Sequence, residues 1–360
     1  MRILDKYILK KYLFTFLFVL LILIPVIIAI DTGDKIDKFL RHEDLTVGEI
    51  IQDYYVNFMI NIANMVLPLA LFVSVLWFTS KLASQTEIIA INSAKISFTR
   101  FLKPYFVGAT IIALASLSLN HFVVPKSTKV YNEFKNTYIK SRPVDNNQII
   151  NINLQLSDNE FVYIKTFYMK QMRGNDFTFE RYEGNKLVEK LSADRIQFRE
   201  KDTTYRLTNY YRKKLKEKED IVTTGRRMDT LFDFKPKDLL HLDAFAQEMQ
   251  TPELLEYIQF SQSRGRGNLN VYYVELYKRT SLAVAVYILT LIAVCLGSVK
   301  RRGGIGINLA IGVTMVFLYV FLLKIVEVIG GAPNSSPIFM VWLPNILFGS
   351  VAIYLYFKVR

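Results

Sequence analysis

The stretch TSKLASQTEIIAINSAKISFTRFLKP, residues 79–104, is a polar and basic segment between two long apolar runs. Within it, Ser84-Gln85-Thr86-Glu87 has the S-x-x-E pattern of a capping box, in which the serine and the glutamate each satisfy a free amide where a helix begins. The isoleucines that follow place an apolar stripe on the same segment: Ile88, Ile89, Ile91 and Ile96. The stretch therefore predicts a short amphipathic helix over about residues 84–95, held between two membrane spans.

The charge of this loop predicts the side of the membrane on which it lies. Its basic residues, opposed only by Glu87, are Lys81, Lys95, Arg100 and Lys103. Loops with such an excess of lysine and arginine stay in the cytoplasm. A helix in that position suits docking against a soluble partner, and the spacing equally allows a helix that rests on the lipid headgroups.

The composition places the chain among integral membrane proteins. Of its 360 residues, 51% are hydrophobic, and these are concentrated toward the two ends of the sequence. The formal net charge of +13 lies largely beside apolar runs, where positive-inside topology and anionic headgroups account for it. We therefore predict no nucleic-acid partner, although an outward basic face for an anionic ligand stays open.

Six apolar runs are long enough to cross a bilayer, which takes about 20 residues. Lys6, Lys10 and Lys11 precede the first run, which lacks a small-x-small cleavage site and is predicted to stay uncleaved. An even number of crossings places both termini in the cytoplasm. The predicted spans are 13–30, 56–78, 106–124, 281–299, 305–329 and 338–357.

The segment between the third and fourth spans has the pattern of a β domain outside the cytoplasm. Alternation such as Ile150-Asn151-Ile152-Asn153-Leu154, with turn signals near residues 174–176, 184–186 and 216–220, predicts an antiparallel sandwich or open barrel with one apolar face. Thr251-Pro252-Glu253 begins a helix to about residue 263, which Gly265 and Gly267 end. The predicted domains are thus 1–125, 126–270 and 271–360.

The sequence contains no catalytic constellation. It has no Walker loop and no zinc-binding motif, and its three histidines are scattered over different segments. The single cysteine, Cys295, lies in an apolar run. We therefore expect a chain that is not an enzyme and binds no metal or cofactor of its own.

Charges at the ends of the spans are the remaining candidates for function. Lys324 and Glu327 lie three residues apart on the fifth span, where they either neutralise each other or contact a ligand. Asp31, Lys35, Lys38 and Arg41 crowd the outer end of the first span. They form a solvated extension, unless the two lysines face an internal cavity and bind lipid phosphate. A stripe of Asn57, Asn61 and Asn64 on the second span is expected to face protein or a cavity.

Several short motifs together resemble the YjgP/YjgQ family, the LptF/LptG permeases of the lipopolysaccharide exporter. They span both membrane halves: Leu4-Asp5-Lys6-Tyr7-Ile8, Glu87 with Ser97 and Arg100-Phe101-Leu102-Lys103-Pro104, Lys278-Arg279, Arg301-Arg302-Gly303-Gly304, and Trp342-Leu343-Pro344-Asn345. The resemblance implies an α-helical integral membrane protein of the bacterial inner membrane, with six transmembrane helices (3+3) and an inserted periplasmic antiparallel β-jellyroll domain.

The resemblance also implies partners and a mechanism. A sister LptF/LptG-type permease would face this chain around a lateral cavity, an LptB-like ATPase dimer would hold ATP and Mg, and an LptC-like single-span protein would lie beside the first helix. Lipopolysaccharide would pass from the membrane into the β domain. From the residues alone, a membrane-anchored binding or assembly protein and an ion-driven secondary transporter remain alternatives, and an enzyme acting on lipid A is disfavoured.

Two sets of site residues follow from the loop, the span-end charges and the resemblance. Glu87 matches the acid of the coupling helix that faces the ATPase, and Lys38 and Lys35 match basic residues that meet substrate phosphates. Asp31 stands where one family branch has a lysine, and Lys95 stands where a glycine is usual. The predicted ATPase-coupling residues are Ser84, Glu87, Ile88, Ile91, Lys95 and Arg100. The predicted substrate-binding residues are Lys35, Lys38, Arg41, Lys324 and Glu327.

Overall fold

The computed structural model describes residues 3–42, 44–139, 148–184, 186–200, 202–215, 220–239, 246–263, 268–300 and 304–359. The predicted basic turn at Arg301-Arg302-Gly303, the glycines predicted to end a helix at 265 and 267, and most of the turn at 216–220 lie outside these residues. The chain forms two compact units. The helical unit comprises Met1–Ile139, Phe245–Leu254 and Asn270–Arg360, and the β unit comprises Lys140–Ala244 and Leu255–Leu269.

Six of the helices in the described residues are long and apolar enough to cross a membrane. Three precede the sheet and three follow it, which confirms the predicted 3+3 arrangement with an inserted antiparallel β domain. The first continues through Pro25 to Phe39, well beyond its apolar run. The helices are α1 (Ile3–Phe39), α2 (Val47–Ser84), α3 (Glu87–Ser93), α4 (Phe98–Ile139), α5 (Thr251–Ser263), α6 (Asn270–Ser298), α7 (Gly304–Gly330) and α8 (Pro337–Val359).

The capping box predicted at Ser84 is wrong. Ser84 is the last residue of α2, and its hydroxyl donates to the Lys81 carbonyl at 2.9 Å, so α3 begins only at Glu87. The capping box lies instead at the start of α2, where the Thr46 hydroxyl accepts from the Glu49 amide at 3.3 Å. In return, the Glu49 carboxylate accepts from the Thr46 amide at 2.9 Å. The same four-residue pattern therefore caps one helix and ends another.

The end of α3 explains the position of Lys95. Its φ of 57° is left-handed, and the Ile96 amide donates to the Ile91 carbonyl at 3.4 Å. This six-to-one bond after a left-handed residue is the Schellman arrangement, in which glycine is the usual residue. Lys95 thus makes a tight helix end at the expense of backbone strain.

The core of the helical unit lies between α2 and α6. Side chains of both helices are fully enclosed, among them Phe72 and Leu76 on α2 and Ile292 on α6. Neighbouring helices approach closely at two glycines, since a Cβ on Gly312 would lie 2.0 Å from Leu76 and one on Gly108 would lie 2.0 Å from the Tyr12 ring. These contacts hold α7 against α2 and α4 against α1.

A polar zipper joins α2 to α4 inside the helical unit. The amides of Asn64 and Asn120 exchange hydrogen bonds of 2.9 and 3.0 Å, and Asn61 accepts from the Thr128 hydroxyl at 2.6 Å. Such groups satisfy one another where no water is available. The predicted asparagine stripe therefore faces protein, as expected.

The β unit contains a six-stranded antiparallel sheet in which each strand pairs only with its neighbours in sequence. One face carries the core, which includes Ile164, Phe177, Leu191 and Leu207. This matches the alternation in the sequence. The strands are β1 (Gln148–Ser157), β2 (Glu160–Tyr168), β3 (Arg173–Glu183), β4 (Lys186–Arg199), β5 (Thr204–Lys214) and β6 (Ile221–Thr230).

A crease crosses all six strands at the same transverse position. The residues opposite one another there, which the strand pairing skips in every pair, are Asn151, Lys165, Asp176, Asp194, Asn209 and Arg226. On β1, β3 and β5 the crease residue has a left-handed φ of 50–55°, which asparagine and aspartate adopt more readily than other residues with a side chain.

The crease keeps both halves of each strand on the same core. Apolar residues facing the core are three apart across it instead of two, for example Ile164 and Phe167 or Ala193 and Ile196. Each strand therefore has one extra residue at the crease, and the alternation of core-facing and outward-facing side chains resumes one position later beyond it. Because every strand carries the insertion, the register between strands is unchanged.

The chain after β6 folds back over the apolar face. The Phe232 ring lies 5.2 Å from Phe177 and 5.5 Å from Phe179, and Tyr205 donates to the Phe234 carbonyl at 2.9 Å. Part of the apolar face is therefore covered by the protein itself.

The left-handed backbone at Asn209 predicts how substitutions there change the stability of the sheet. Replacement by valine is expected to destabilise the sheet by about 1–2 kcal/mol, because a β-branched residue does not tolerate a left-handed φ. Hydrogen exchange of the β4 and β5 amides in the full-length protein measures the change. Asn209→Gly should exchange like the wild type or more slowly, and Tyr211→Val, at an exposed position of ordinary pairing, is the control. Equal exchange in the valine and glycine variants would contradict the prediction.

Candidate functional site

The start of α1 is tied to the loop around α3 by two polar contacts. The Tyr7 hydroxyl donates to the Glu87 carboxylate at 3.3 Å, and Arg100 forms a 2.7 Å ion pair with the buried Asp5. Ser97 caps α4 by accepting from the Arg100 amide at 3.3 Å. Glu87 and Arg100 are therefore held by the LDKY segment of α1, a link that no local pattern in the sequence indicates.

The two faces of α3 have different surroundings. Ile88 is buried and Ile91 packs against the helical core, so both anchor α3 to the bundle. The outward face is weakly apolar, and it includes Ile89, whose side chain is 53% exposed, with Ala90, Ser93 and Ala94. The outward face is thus open to solvent, whereas the predicted coupling residues Ile88 and Ile91 lie on the opposite, buried side of α3. Ser84 and Lys95 are exposed at its two ends.

Lys35 is held in a closed polar and aromatic environment. Its ammonium pairs with Asp31 and donates to the Tyr54 hydroxyl, which in turn donates to Asp31 at 2.7 Å. The Lys35 nitrogen also lies 5.1 Å from the Tyr54 ring centre and 5.4 Å from that of Phe58. A charge with these partners is neutralised locally, so Lys35 secures the end of α1. Asp31, noted as a departure from the family pattern, is the partner that makes this arrangement.

Lys38 and Arg41 follow Lys35 near the end of α1. Lys38 is half-buried and Arg41 is exposed. Neither forms an ion pair within the described part of the chain. The structure therefore separates the first-span basic residues into one that is paired and two that are open to solvent.

A cavity of about 300 Å³ lies among α2, α4, α6 and α7 of the helical unit. Polar residues of the zipper and apolar residues of α2, α6 and α7 line it together. Lys324 and Glu327 line it together, whereas Lys35, Lys38 and Arg41 do not. The lining residues are Phe58, Asn61, Ile62, Asn64, Met65, Pro68, Asn120, Val124, Thr128, Tyr131, Gln247, Glu275, Lys278, Leu282, Val320, Leu323, Lys324 and Glu327.

A chain of ion pairs runs along the wall of this cavity. Lys324 pairs with Glu327 at 3.0 Å, Glu327 with Lys278 at 2.8 Å, and Lys278 with Glu275 at 2.9 Å. Glu275 then meets Arg279 at 3.3 Å. The network holds three cations and two anions, and Lys324 is its most exposed member, with 62% of its side chain accessible.

The inner end of the network fastens the segment that returns to the membrane. Arg279 is 1% exposed, and it donates to the Thr251 hydroxyl and the Met249 carbonyl at 2.8 Å each. In the same segment, burial raises the pKa of Glu248 above its ordinary value, although the Asn132 amide donates to it at 2.7 Å. Sequence reasoning noted Lys278-Arg279 only as a motif. The i,i+3 and i,i+4 spacing from Glu275 was the available signal.

The arrangement offers electrostatic attraction to a ligand. The described residues contain no group of three or more His, Cys, Asp or Glu side chains that would hold a metal ion. A cavity with apolar and amide walls, and with two ammonium groups balanced by two carboxylates, suits an amphiphile with a charged or polar head group.

The family model described as lipopolysaccharide export system permease LptF/LptG matches residues 6–358, which is essentially the whole chain. No curated protein matches it. The match runs through all six spans and the inserted sheet, and six apolar helices in a permease of this system indicate a multi-pass protein of the inner membrane. The chain therefore belongs to the LptF/LptG family of lipopolysaccharide export permeases.

Proposed function

We propose that this chain is one permease subunit of an ATP-driven complex, which extracts lipopolysaccharide from the inner membrane and passes it through the β domain toward the outer membrane. The observation that carries this proposal is the apolar face of the sheet, where a cavity of about 600 Å³ is lined partly by apolar residues. Acyl chains cost about 0.8 kcal/mol per CH₂ in water, so a route out of the bilayer needs such a surface.

The distribution of basic residues supports one orientation. Lys6, Lys10 and Lys11 lie at the start of α1, and Lys81, Lys95 and Lys103 flank α3. Under the positive-inside rule this end of the helices faces the cytoplasm. Both termini then lie in the cytoplasm and the sheet in the periplasm.

The proposed engine is a separate ATPase dimer of the LptB type, which binds ATP and Mg. It engages the outward face of α3, and closure of the dimer moves α3 with the bundle. Because Ile88 and Ile91 anchor α3 to the core, and Tyr7 and Asp5 tie the loop to α1, a push on α3 reaches several spans at once. A sister LptF/LptG-type permease and an LptC-like single-span protein complete the complex.

The helical cavity is the proposed place of substrate capture. Lys324 is exposed at its rim and Glu327 is shared between Lys324 and Lys278, so a phosphate competes with Glu327 for two ammonium groups. The zipper amides and apolar walls accommodate the sugar and the acyl chains. Lys38 and Arg41, open to solvent, add positive charge at the end of α1.

The orientation is tested by labelling single cysteines in sealed vesicles, in a variant with Cys295→Ser. Cysteines at Ser93 on α3 and at Lys165 on the sheet, both exposed, are expected to react from opposite sides of the membrane. Reaction of both positions with the same impermeant reagent, from the same side, would end the proposal, because the sheet and the ATPase would then share a compartment.

The coupling role of Glu87 is tested by separating its charge from its contact with Tyr7. Glu87→Gln removes the charge and keeps an acceptor for Tyr7, whereas Tyr7→Phe removes the hydrogen bond and keeps the charge. If Glu87 acts on the ATPase through its charge, Glu87→Gln lowers lipid-stimulated ATP hydrolysis about tenfold, as expected for one charge-assisted bond, and Tyr7→Phe has little effect. Equal losses in both variants would instead assign Glu87 to holding α1.

Lys324 and Lys35 are expected to differ in what their loss affects. Lys324→Ala should weaken lipopolysaccharide capture roughly fivefold at low salt, with a smaller effect at high salt, because an exposed charge is screened. Lys35→Ala leaves Asp31 without its cation and should destabilise the helical unit by about 3 kcal/mol. Lipid binding and thermal unfolding of the purified complex measure the two effects. A capture defect in folded Lys35→Ala as large as that in Lys324→Ala would contradict this assignment.

A further inference from the structure

A row of charged residues lies at one end of the apolar face of the sheet. Glu160, Arg181 and Glu189 occupy directly opposite positions on β2, β3 and β4, and Arg212 lies on β5 next to them. The row continues the alternation of residues that face the core, since Glu189 precedes Leu191 and Ala193, and Arg181 follows Phe179. Charge therefore borders the apolar face at this end.

Glu189 holds the two guanidinium groups in place. It is 5% exposed, and its carboxylate accepts from Arg212 Nε at 2.5 Å and from Arg181 Nη1 at 3.3 Å. Arg181 is also bound to Glu160 through Nε at 2.9 Å and Nη2 at 2.8 Å. All three nitrogens of Arg181 are thus engaged, and a buried carboxylate with two cationic partners resists rearrangement.

Arg212 differs from Arg181 in having donors to spare. Only its Nε is used, and within the described ranges its two terminal nitrogens have no hydrogen-bond partner. Its side chain is 36% exposed and lines the cavity of about 600 Å³. Because Nε is fixed by Glu189, the terminal nitrogens are presented to the cavity with little remaining freedom.

The surroundings of Arg212 combine hydrogen-bond donors that can bind an anion with apolar side chains. Leu156, Phe179, Leu191 and Phe232 line the same cavity, as do Asp233 and Asp229, the latter paired with Arg206. A guanidinium with two free terminal NH₂ groups matches the oxygens of a phosphate, and the apolar lining matches hydrocarbon. The ligand that uses both has a phosphate close to its acyl chains.

We propose that Arg212, positioned by Glu189, forms a phosphate subsite at the border of the apolar face and takes a phosphate ester of an acylated lipid. The inference rests on the proposed route of lipopolysaccharide through the β domain and adds a binding site along that route. The two acids and two bases of the row leave it without net charge, so the negative charge of Glu189 opposes that of a phosphate held on the terminal nitrogens of Arg212. A ligand held in this way is released again, as a passage requires.

The test places a benzophenone photocrosslinker at Leu156 in the full complex, reconstituted with its ATPase and supplied with lipopolysaccharide. Arg212→Ala is expected to lower the crosslinking yield about tenfold, the effect of one charge-assisted bond, and Arg212→Lys to give an intermediate yield because it keeps the charge without the planar donor pair. Arg195→Ala, an exposed arginine of β4 outside the cavity lining, is the matched control and should crosslink like the wild type.

Dephosphorylated lipid separates the phosphate from the acyl chains. With it, wild type and Arg212→Ala should give the same low yield. Added inorganic phosphate tests whether the site binds free phosphate or only a lipid phosphate. If it removes the difference in crosslinking yield between wild type and Arg212→Ala, the site binds free phosphate. If the difference persists, the site requires the lipid headgroup. Both outcomes support a phosphate subsite at Arg212.

The failures are distinguishable. Wild-type crosslinking that Arg212→Ala and Arg212→Lys both retain overturns the subsite and leaves the route intact. Lack of lipid crosslinking in the wild type overturns the route and the subsite with it. Thermal unfolding of the variants excludes a trivial loss of fold, because Arg181 still pairs with Glu189 when Arg212 is removed.

Discussion

A buried guanidinium organises the helical unit where the chain returns to the membrane. Arg279 is the largest fully buried side chain of the described residues, and moving its charge out of water would be costly without partners. It finds them in Glu275, the Thr251 hydroxyl and the Met249 carbonyl. Glu275 is then shared with Lys278, and Lys278 with Glu327. The charged wall of the helical cavity is therefore continuous with the contacts that satisfy one buried cation.

Polar side chains within the spans find their hydrogen-bond and ion-pair partners in two ways, which have different roles. The amides of Asn64 and Asn120 bind each other and join two helices. The ion-pair chain is satisfied at its inner end and open at Lys324, which is the exposed end. A closed polar pair contributes to folding, whereas an open one is available to a ligand. The same distinction separates the enclosed Lys35 from Lys324.

The sheet shows how a regular pattern is maintained over a bend. Asn151, Asp176 and Asn209 have left-handed backbone conformations along one line across the sheet, and every strand has one extra residue there. The face that packs on the core is thereby kept apolar over the whole sheet. Alternation in the sequence was sufficient to predict the strands, but that the shifts in phase align across six strands depends on the strand pairing.

The sequence by itself determined the six spans and the antiparallel sheet with one apolar face, because hydrophobic length and period are local properties of the chain. It also placed Lys324 and Glu327 on one helix face, since that too follows from spacing.

Only the tertiary structure decided that Thr46, and not Ser84, forms a capping box, because both have the S/T-x-x-E pattern and the difference is whether the preceding helix has already ended. The same holds for Lys35, whose partner Tyr54 comes from another helix, and for Glu87, whose partner Tyr7 lies 80 residues earlier. Contacts between distant segments depend on how the helices pack, which no window of the sequence contains.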